Sequence, residues 1–200
     1  MSAFEASVPE RVVLCGPDGQ AIGTADKGTV HHERTPLHLA FSCYVFDARD
    51  RVLMTRRAHT KKTWPGVRTN SCCGHPAPGE PMPDAVSRRL RYELGIVAAT
   101  IDLLVPAFRY RATMPDGTVE NELCPIYRAT VADEAVVANP DEVAEAWWTP
   151  WLAVASESGA ESDRLSPWSL LQLEALRRLD GTPGTWPVAD PADLPVAARS

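Results

Sequence analysis

The chain has 200 residues, of which 44% are hydrophobic, and a formal net charge of -6 at pH 7. This is enough apolar material for one domain with a buried core, and no break in composition divides the chain, so we expect a single domain over residues 1–200. An acidic chain without a basic face does not suit nucleic acid or an anionic membrane, which excludes both as expected partners.

The cysteines and the N-terminal segment indicate a reducing compartment. Five cysteines are an odd number, and the neighbours Cys72 and Cys73 could form only a strained bridge, so reduced thiols are expected. No apolar run reaches the roughly 18 residues of a membrane helix, and MSAFEASVPERVV lacks the basic and apolar regions of a signal peptide. We expect a cytoplasmic protein and a monomer.

Strands dominate the predicted elements of the first part of the chain. Residues 11–15 and 21–25 flank a Pro-Asp-Gly turn and predict a hairpin. Residues 37–46 and 51–55 predict two strands of a central sheet, separated by a polar turn. Residues 58–73 contain Pro, Gly, Thr and Asn without a period, which favours an ordered loop.

A helix is predicted over residues 82–94. Pro81 and Pro83 fit only the first helical turn, where their missing amide donors cost nothing. Asp84 favours the same positive end of the helix dipole, and Gly95 is a stop signal.

The last part of the chain predicts a second hairpin, another strand and a final helix. The hairpin consists of residues 101–113 and 119–129, and the strand lies near residues 144–149. Residues 167–179 form a strong amphipathic helix pattern, whereas the Pro-rich residues 181–200 predict a loosely ordered tail after a core of about residues 10–180. The expected class is therefore α/β or α+β, a mixed sheet with helices against it.

Residues 74–96, GHPAPGEPMPDAVSRRLRYELGI, resemble the diphosphate-hydrolysing box of the Nudix hydrolases. The frame is kept at Gly74, Glu80, Arg88, Leu90, Glu93, Gly95 and Ile96. In that family, metals are held by a Glu beside the Arg and by a Glu-Glu pair one turn later, but these positions are Arg89 and Tyr92-Glu93 here. Loss of two of the three carboxylates removes most of the charge that gathers metals and activates water. We therefore expect a box that binds a diphosphate but hydrolyses it poorly.

A second resemblance, to type I isopentenyl-diphosphate isomerase, covers roughly residues 10 to 180. It rests on the motifs LHLAFS (37–42), TRRA (55–58), KKTWPGV (61–67), NSCCGHP (70–76), RRLRYELGI (88–96), FRYRAT (108–113), ENELCP (120–125) and SPW (166–168). It implies a Nudix-type mixed β-sheet sandwiched between helices, with an N-terminal extension that closes over the site.

A metal site is expected near Glu120 and Glu122. These residues are two apart on a predicted strand, so both carboxylates point to one face, where their repulsion suggests a cation. The isomerase resemblance implies a metal on His31, His38, His75, Glu120 and Glu122. Such mixed ligands suit Mn²⁺, Mg²⁺, Fe²⁺ or Zn²⁺.

Two points about this metal site stay open from the sequence. His32 is an immediate rival of His31, which only the family register favours. The alternative without a metal is that Glu120 and Glu122 lie in solvent and the histidines are scattered.

The isomerase resemblance also nominates the groups that move protons. Cys73 and Glu122 would protonate and deprotonate the alkene from opposite faces, and Tyr110 would hydrogen-bond near Glu122. The Trp168 indole would stabilise a carbocation, an attraction of roughly 2 kcal/mol when desolvated. For Cys72 we expect the usual fate of a free cysteine, which is burial in the core.

An anionic substrate on an acidic protein requires a local basic cluster. The resemblance places the diphosphate on Lys27, Arg57, Lys61 and Arg89, residue types suited to phosphate oxygens. Glu93 resembles the ligand of a Mg²⁺ ion bridged to the diphosphate and to the backbone oxygen of Cys73.

Three functions compete at this point. The first is isomerisation of isopentenyl diphosphate to dimethylallyl diphosphate through a tertiary carbocation. The second is a nucleoside-diphosphate hydrolase that uses Glu80 and Glu93, against which the two missing box carboxylates weigh. The third is a noncatalytic binding module, which predicts the loss of Cys73 or Glu122, and both are present.

Overall fold

A computed structural model describes residues 10–132, 135–157 and 165–199. The strands within these residues are β1 (Arg11–Cys15), β2 (Ala21–Asp26), β3 (His38–Leu39), β4 (Phe41–Phe46), β5 (Arg51–Arg57), β6 (Arg68–Thr69), β7 (Cys72–Gly74), β8 (Thr100–Val105), β9 (Arg109–Thr113), β10 (Val119–Leu123), β11 (Ile126–Thr130) and β12 (Val143–Pro150). The α-helices are α1 (Met82–Leu94), α2 (Trp151–Ala155) and α3 (Pro167–Leu176).

The strands form two mixed sheets. The first has the order β2-β1-β3-β10-β9, and the second has the order β12-β5-β4-β11-β8, with β6 paired to β5 and β7 to β4. The pairs β3 with β10 and β4 with β11 are parallel, whereas the other named pairs are antiparallel. The mixed α/β class expected from the sequence is confirmed.

The second sheet lies between helices, as the alternation along its buried strand β4 shows. Phe41, Cys43 and Val45 pack into a core with α1. Tyr44 and Phe46 face the opposite way, into a core with α2 and α3. Because side chains alternate between the two faces of a strand, a strand that is apolar at nearly every position requires cover on both faces.

The boundaries of α1 follow its sequence signals. The helix begins after Pro81, with Pro83 in its first turn. It ends at Gly95, which has the left-handed φ of 66° and whose N–H returns to the Arg91 carbonyl. A residue with a Cβ is strained in this conformation, which is why glycine stands there.

Three strands expected to be continuous are instead divided between the two sheets. The expected strand 37–46 changes sheets at Ala40, 101–113 divides around Pro106, and 119–129 divides around Pro125. Proline has no N–H for a ladder, so each proline ends one pairing and lets the chain enter the other sheet. The second hairpin therefore consists of β9 and β10 only, while β8 pairs with β11.

The C-terminal part also differs from the expectation. The helix expected over 167–179 ends at Leu176, and the segment expected to be loose has two short 3-10 turns, Pro191–Asp193 and Val196–Ala198. Trp186 and Leu194 of this segment are buried in the two cores, so apolar burial outweighs the proline content. Among the described helices, none is long and apolar enough to cross a membrane.

Candidate active site

The register of the first sheet places three predicted site residues side by side. Glu122 on β10 is paired with Tyr110 on β9 and with His38 on β3. Residues paired across neighbouring strands project to the same face of the sheet, so the phenol, the carboxylate and the imidazole meet there. The short strand β3 is thus the element that brings the histidine to the glutamate.

Three imidazoles converge on one oxygen of Glu122. Its Oε1 lies 3.2 Å from His75 Nε2, 3.5 Å from His38 Nε2 and 3.9 Å from His31 Nε2. One ligand atom from each of the four residues lies within 4.8 Å of the others. Three nitrogens and one carboxylate oxygen at this spacing form a ligand set for a divalent metal.

The hydrogen bonds of these imidazoles leave ring nitrogens available for a metal. His38 Nδ1 is 3.0 Å from the Pro36 carbonyl, which can only accept, so the neutral ring leaves a lone pair on Nε2. Within the described part of the chain, His31 Nε2, His38 Nε2 and His75 Nδ1 are buried without a hydrogen-bond partner. Burial also lowers the pKa of His75 to about 4, which keeps this ring neutral near pH 7.

Two predicted candidates lie outside the four-residue group. Glu120, expected as a fifth ligand, is not in this group, and its Oε2 lies 3.0 Å from the Tyr110 hydroxyl oxygen. His32, the rival of His31, is exposed, and its Nδ1 accepts the Arg34 N–H. The structure therefore places His31, not His32, at the cluster.

The two carboxylates differ in their electrostatics. Burial, followed by repulsion from Glu122, raises the pKa of Glu120. Burial alone would raise the pKa of Glu122 as well, but the three imidazoles hold that pKa well below its usual range. Glu122 is therefore ionised, and its Oε2 accepts a 2.9 Å hydrogen bond from Tyr110.

Cys73 lies on β7, paired in register with Ser42 of β4. Its Sγ is 3.2 Å from Ser42 Oγ and 3.2 Å from Asn70 Oδ1. Burial raises the pKa of the Cys73 thiol to about 12, so the group carries its proton at neutral pH. The adjacent Cys72 points the other way, into the core under α1, as expected.

One cavity of about 830 Å³ connects these groups. The predicted site residues that line it are Lys27, His31, Arg57, Lys61, Cys73, His75, Arg89, Glu93, Tyr110, Glu120, Glu122 and Trp168. Proton-transfer candidates, histidines and basic residues thus share one space, which is large enough for a small molecule.

Three of the five basic residues that line the cavity are paired with carboxylates. Lys27 forms an ion pair with Glu10, and Lys61 forms one with Glu142. Arg89 Nε lies 2.9 Å from Glu93 Oε1, and its terminal nitrogen lies 3.1 Å from Glu142 Oε1. These cations are held in place, and a more highly charged anion would compete for them.

Arg57 and Trp168 form a different contact. The Arg57 guanidinium donates to the Thr63 carbonyl at 2.9 Å and lies over the Trp168 ring, 5.6 Å from its centroid. Trp168 is buried and also packs against Tyr110. The indole therefore already faces a cation on the cavity side.

Glu80, the first acid of the box, is not one of the four residues of the histidine cluster. Both of its oxygens bond the Arg88 guanidinium at 2.7 Å, and Oε2 also caps the Ala77 N–H. This pair stabilises the entrance of α1. Glu93 is likewise engaged by Arg89, so the retained box acids do not form a water-activating group within the described residues.

Sequence reasoning missed residues that act through other side chains. Glu142 precedes β12 and joins Lys61 to Arg89. Asn70 and Ser42 contact the Cys73 thiol directly, and Gln172 donates to Ser42. Asn70 and Ser42 were visible inside the NSCCGHP and LHLAFS motifs, but Glu142 and Gln172 had no local signal because they reach the site only through the fold.

Comparisons with known proteins agree on one family. The model of the NUDIX domain matches residues 36–169. An isopentenyl-diphosphate Delta-isomerase of Saccharopolyspora erythraea is 54% identical over 189 residues, which are 94% of this chain and 97% of that protein. The protein of the same name from Rhizobium rhizogenes is 47% identical, over 96% of this chain and 92% of that protein.

Solved structures agree on the fold. A crystal structure of a Deinococcus radiodurans protein matches with a TM-score of 0.59 at 17% identity, and covers 84% of this chain and 100% of that one. The Nudix domain of Shewanella oneidensis NrtR, complexed with ADP ribose, matches with a TM-score of 0.51 at 18% identity, over 70% of this chain and 85% of that one. At these identities the likeness concerns architecture alone.

Proposed function

We propose that this chain, which belongs to the Nudix family and within it to the isopentenyl-diphosphate Delta-isomerases, converts isopentenyl diphosphate to dimethylallyl diphosphate. The observation that carries the proposal is the shared cavity. It combines a protonated thiol, Cys73, with an ionised carboxylate, Glu122, and five basic side chains. A hydrolase requires clustered box carboxylates, which this site lacks among its described residues.

The chemistry requires one proton to be added and another removed. Addition of a proton to the terminal alkene carbon gives a tertiary carbocation, and loss of a proton from C2 forms the new double bond. Cys73 and Glu122 are the groups we assign to these transfers, with Tyr110 bonded to Glu122 as a positioning group. The Trp168 face would stabilise the cation, and the buried setting keeps water from capturing it.

We propose that His31, His38, His75 and Glu122 hold a divalent metal, Mn²⁺ or another such ion as Zn²⁺. When bound there, the metal supplies positive charge that tunes the acidity of the Glu122 carboxyl. Glu120 adds a second carboxylate beside this site through Tyr110. Among the described residues, His31 Nε2 and His38 Nε2 have no hydrogen-bond partner. His75 Nε2 contacts Glu122 Oε1.

The remaining residues hold the leaving group in place. Lys27, Arg57, Lys61 and Arg89 would bind the diphosphate oxygens, and Glu93 would carry a Mg²⁺ ion that accompanies them. The carboxylates now paired with these cations keep them oriented toward the cavity. A diphosphate held at several points is less prone to depart from the allylic product.

The test is turnover in deuterated water with Mg²⁺ and a trace of Mn²⁺, followed by NMR of the products. The wild type should form deuterium-labelled dimethylallyl diphosphate, and Cys73→Ala should form none. The matched control is Cys72→Ala, which alters a neighbouring buried thiol that faces the core. Release of phosphate by the wild type, or unchanged turnover by Cys73→Ala, would contradict the proposal.

A further inference from the structure

The side-chain oxygen of Asn70 is a shared acceptor behind the reacting groups. Asn70 is fully buried between β6 and β7. Four donors surround its Oδ1: Thr69 Oγ1 at 2.9 Å, Trp168 Nε1 at 3.1 Å, Cys73 Sγ at 3.2 Å and Ser169 Oγ at 3.4 Å. The thiol and the indole, assigned to different steps, therefore meet on one atom.

The orientation of this amide is fixed by its neighbours. Asn70 Nδ2 donates to the Cys72 carbonyl at 2.9 Å and to the Cys43 carbonyl at 3.1 Å. Trp168 Nε1 can only donate, so it requires the oxygen on its side. A flipped amide would place its oxygen against two carbonyls and its NH₂ against an N–H, which a buried site does not tolerate.

We propose that Asn70 is a positioning residue, whose single amide oxygen holds the Cys73 thiol and the Trp168 indole in register with each other at the alkene end of the cavity. The inference rests on the proposed isomerase function. An amide oxygen has two lone pairs, and four donors compete for them. The thiol is the weakest of these donors, so its proton can move to the substrate while the stronger donors keep Asn70 and Trp168 in place.

A second contact supports the sulfur after its proton has left. Gln172 Nε2 donates to Ser42 Oγ at 2.7 Å, which turns the Ser42 hydroxyl hydrogen away from Gln172. The sulfur atoms of Cys73 and Cys124 are its remaining partners, at 3.2 and 3.4 Å. Asn70 thus accepts from the thiol on one side, while Ser42 can donate to the sulfur on the other.

The first experiment compares Asn70→Ala with Asn70→Asp. Alanine removes the shared acceptor and both Nδ2 bonds. Aspartate keeps the acceptor oxygen, and because its second oxygen is buried against the Cys72 and Cys43 carbonyls it stays protonated and donates to one of them, so only one of the two Nδ2 bonds is lost. We expect Asn70→Ala to lower kcat about 100-fold, the scale of a 1 Å misplacement, and to leave KM within about twofold because the diphosphate is held elsewhere. Asn70→Asp should retain most of the kcat that alanine loses.

The second measurement reads the geometry without substrate. The six tryptophans give indole N–H signals in a nitrogen-15 correlation spectrum, and Trp168→Phe identifies the signal of Trp168. Asn70→Ala should shift this signal, and Asn70→Asp should move it less. The control is Ser71→Ala, because Ser71 is buried in the same segment but bonds the backbone of Leu53 and Val45. It should lower stability and change neither the signal nor kcat.

The outcomes separate this inference from the function on which it rests. Equal losses of kcat in Asn70→Ala and Asn70→Asp would reduce Asn70 to a structural role and overturn the inference. A loss of kcat in Ser71→Ala would do the same, because it would show that lower stability in this segment is enough to lower kcat. If Asn70→Ala does not fold, Asn70→Asp decides: an unmoved Trp168 signal combined with a 100-fold loss of kcat also overturns it. Failure of the wild type to isomerise would instead refute the proposed function.

Discussion

At the residue scale, the two oxygens of Glu122 have different surroundings. Oε1 faces three imidazoles, while Oε2 accepts from Tyr110. A carboxylate shared between a metal ligand set and a phenol has one oxygen toward each. This division lets the same residue hold an ion and remain hydrogen-bonded to a group that orients it.

The choice between His31 and His32 can be tested by metal binding. We expect His31→Ala to weaken Mn²⁺ or Zn²⁺ binding to chelator-treated protein by about 100-fold or more, since residues that merely orient ligands already contribute 10–100-fold. His32→Ala should bind as the wild type does, because His32 is exposed outside the cluster. Calorimetric titration measures both, and equal losses would contradict the assignment of His31.

Arg89 offers a test of the diphosphate grip. Arg89→Gln removes a buried guanidinium that contacts Glu93 and Glu142, and we expect KM for isopentenyl diphosphate to rise about 10-fold or more. It should also lower the free energy of unfolding by about 3–5 kcal/mol, because the buried Glu93 loses its guanidinium partner, while Glu142 retains Lys61. Arg89→Lys keeps the charge, so its KM and its free energy of unfolding should lie between those of the wild type and of Arg89→Gln.

The matched control for Arg89 lies on the same helix. Arg91 is exposed, so Arg91→Gln should leave KM and stability unchanged. Steady-state kinetics and urea unfolding measure the two effects separately. An unchanged KM for Arg89→Gln would remove Arg89 from the substrate site.

At the scale of elements, the turn between β4 and β5 depends on one carboxylate. Asp47 is buried and accepts from the N–H groups of Arg49 and Arg51 at 2.9 Å and from Arg51 Nε at 2.6 Å. Burial alone would raise the pKa of Asp47, but these bonds lower it overall. The charged form therefore stabilises the hairpin above about pH 4, and this stability is lost as the pH falls through the lowered pKa.

Asp47→Asn should lower the free energy of unfolding by about 1.5–3 kcal/mol at pH 7 and leave kcat unchanged, because hydrogen bonds to a charged group are lost far from the cavity. The difference from the wild type should shrink below about pH 4, where Asp47 becomes protonated in both folded and unfolded chains. Asp50→Asn, at an exposed turn residue, is the control and should be neutral. Urea unfolding at several pH values measures this, and a difference that persists at low pH would contradict the account.

Local patterns predicted the elements better than their pairing. The hairpin of β1 and β2 and the limits of α1 follow from turn, proline and glycine signals that act within a few residues. The change of sheet at Ala40 has no such signal, since Ala40 donates to the carbonyl of the distant Leu123. Long-range partners of this kind are decided by the packing of the whole chain.

The site shows the same division. The motifs predicted most of the functional residues that line the cavity, because the family resemblance implies the fold that brings these residues together. Glu142 was missed since nothing near it in sequence indicates that its carboxylate meets Lys61 and Arg89. Glu120 was expected as a metal ligand from its strand position and from the family resemblance, and the hydroxyl of Tyr110 lies within 3.0 Å of both Glu120 and Glu122.

At the scale of the whole molecule, a protein of net charge -6 can bind an anion only where the fold gathers basic side chains locally. Five cations line the cavity, and three of them are paired with carboxylates that also line it. The fold thus brings these cations together while pairing most of them with carboxylates. Binding of a diphosphate then exchanges one set of ion pairs for another, which limits the net gain from any single contact.

The last segment of the chain completes the core behind the active site. α3 places Trp168 in the cavity and Leu173 and Leu176 in the opposite core. Trp186 closes that core, with ring contacts of 5.1 Å to Trp151 and 5.7 Å to Phe46. Trp186 therefore belongs to the core that α3 packs into, and it does not line the cavity.

Trp186→Ala should lower the free energy of unfolding by about 3–5 kcal/mol, the usual cost of removing a large buried side chain. At temperatures where the variant stays folded, kcat and KM should match the wild type, since the indole does not line the cavity. Val188→Ala in the same segment is the control, because Val188 is 57% exposed and should cost little. Thermal unfolding and steady-state kinetics measure both effects. Equal stabilities for Trp186→Ala and the wild type would show that the segment is dispensable for the core, whereas a lower kcat in the folded variant would show that α3 transmits the loss to Trp168.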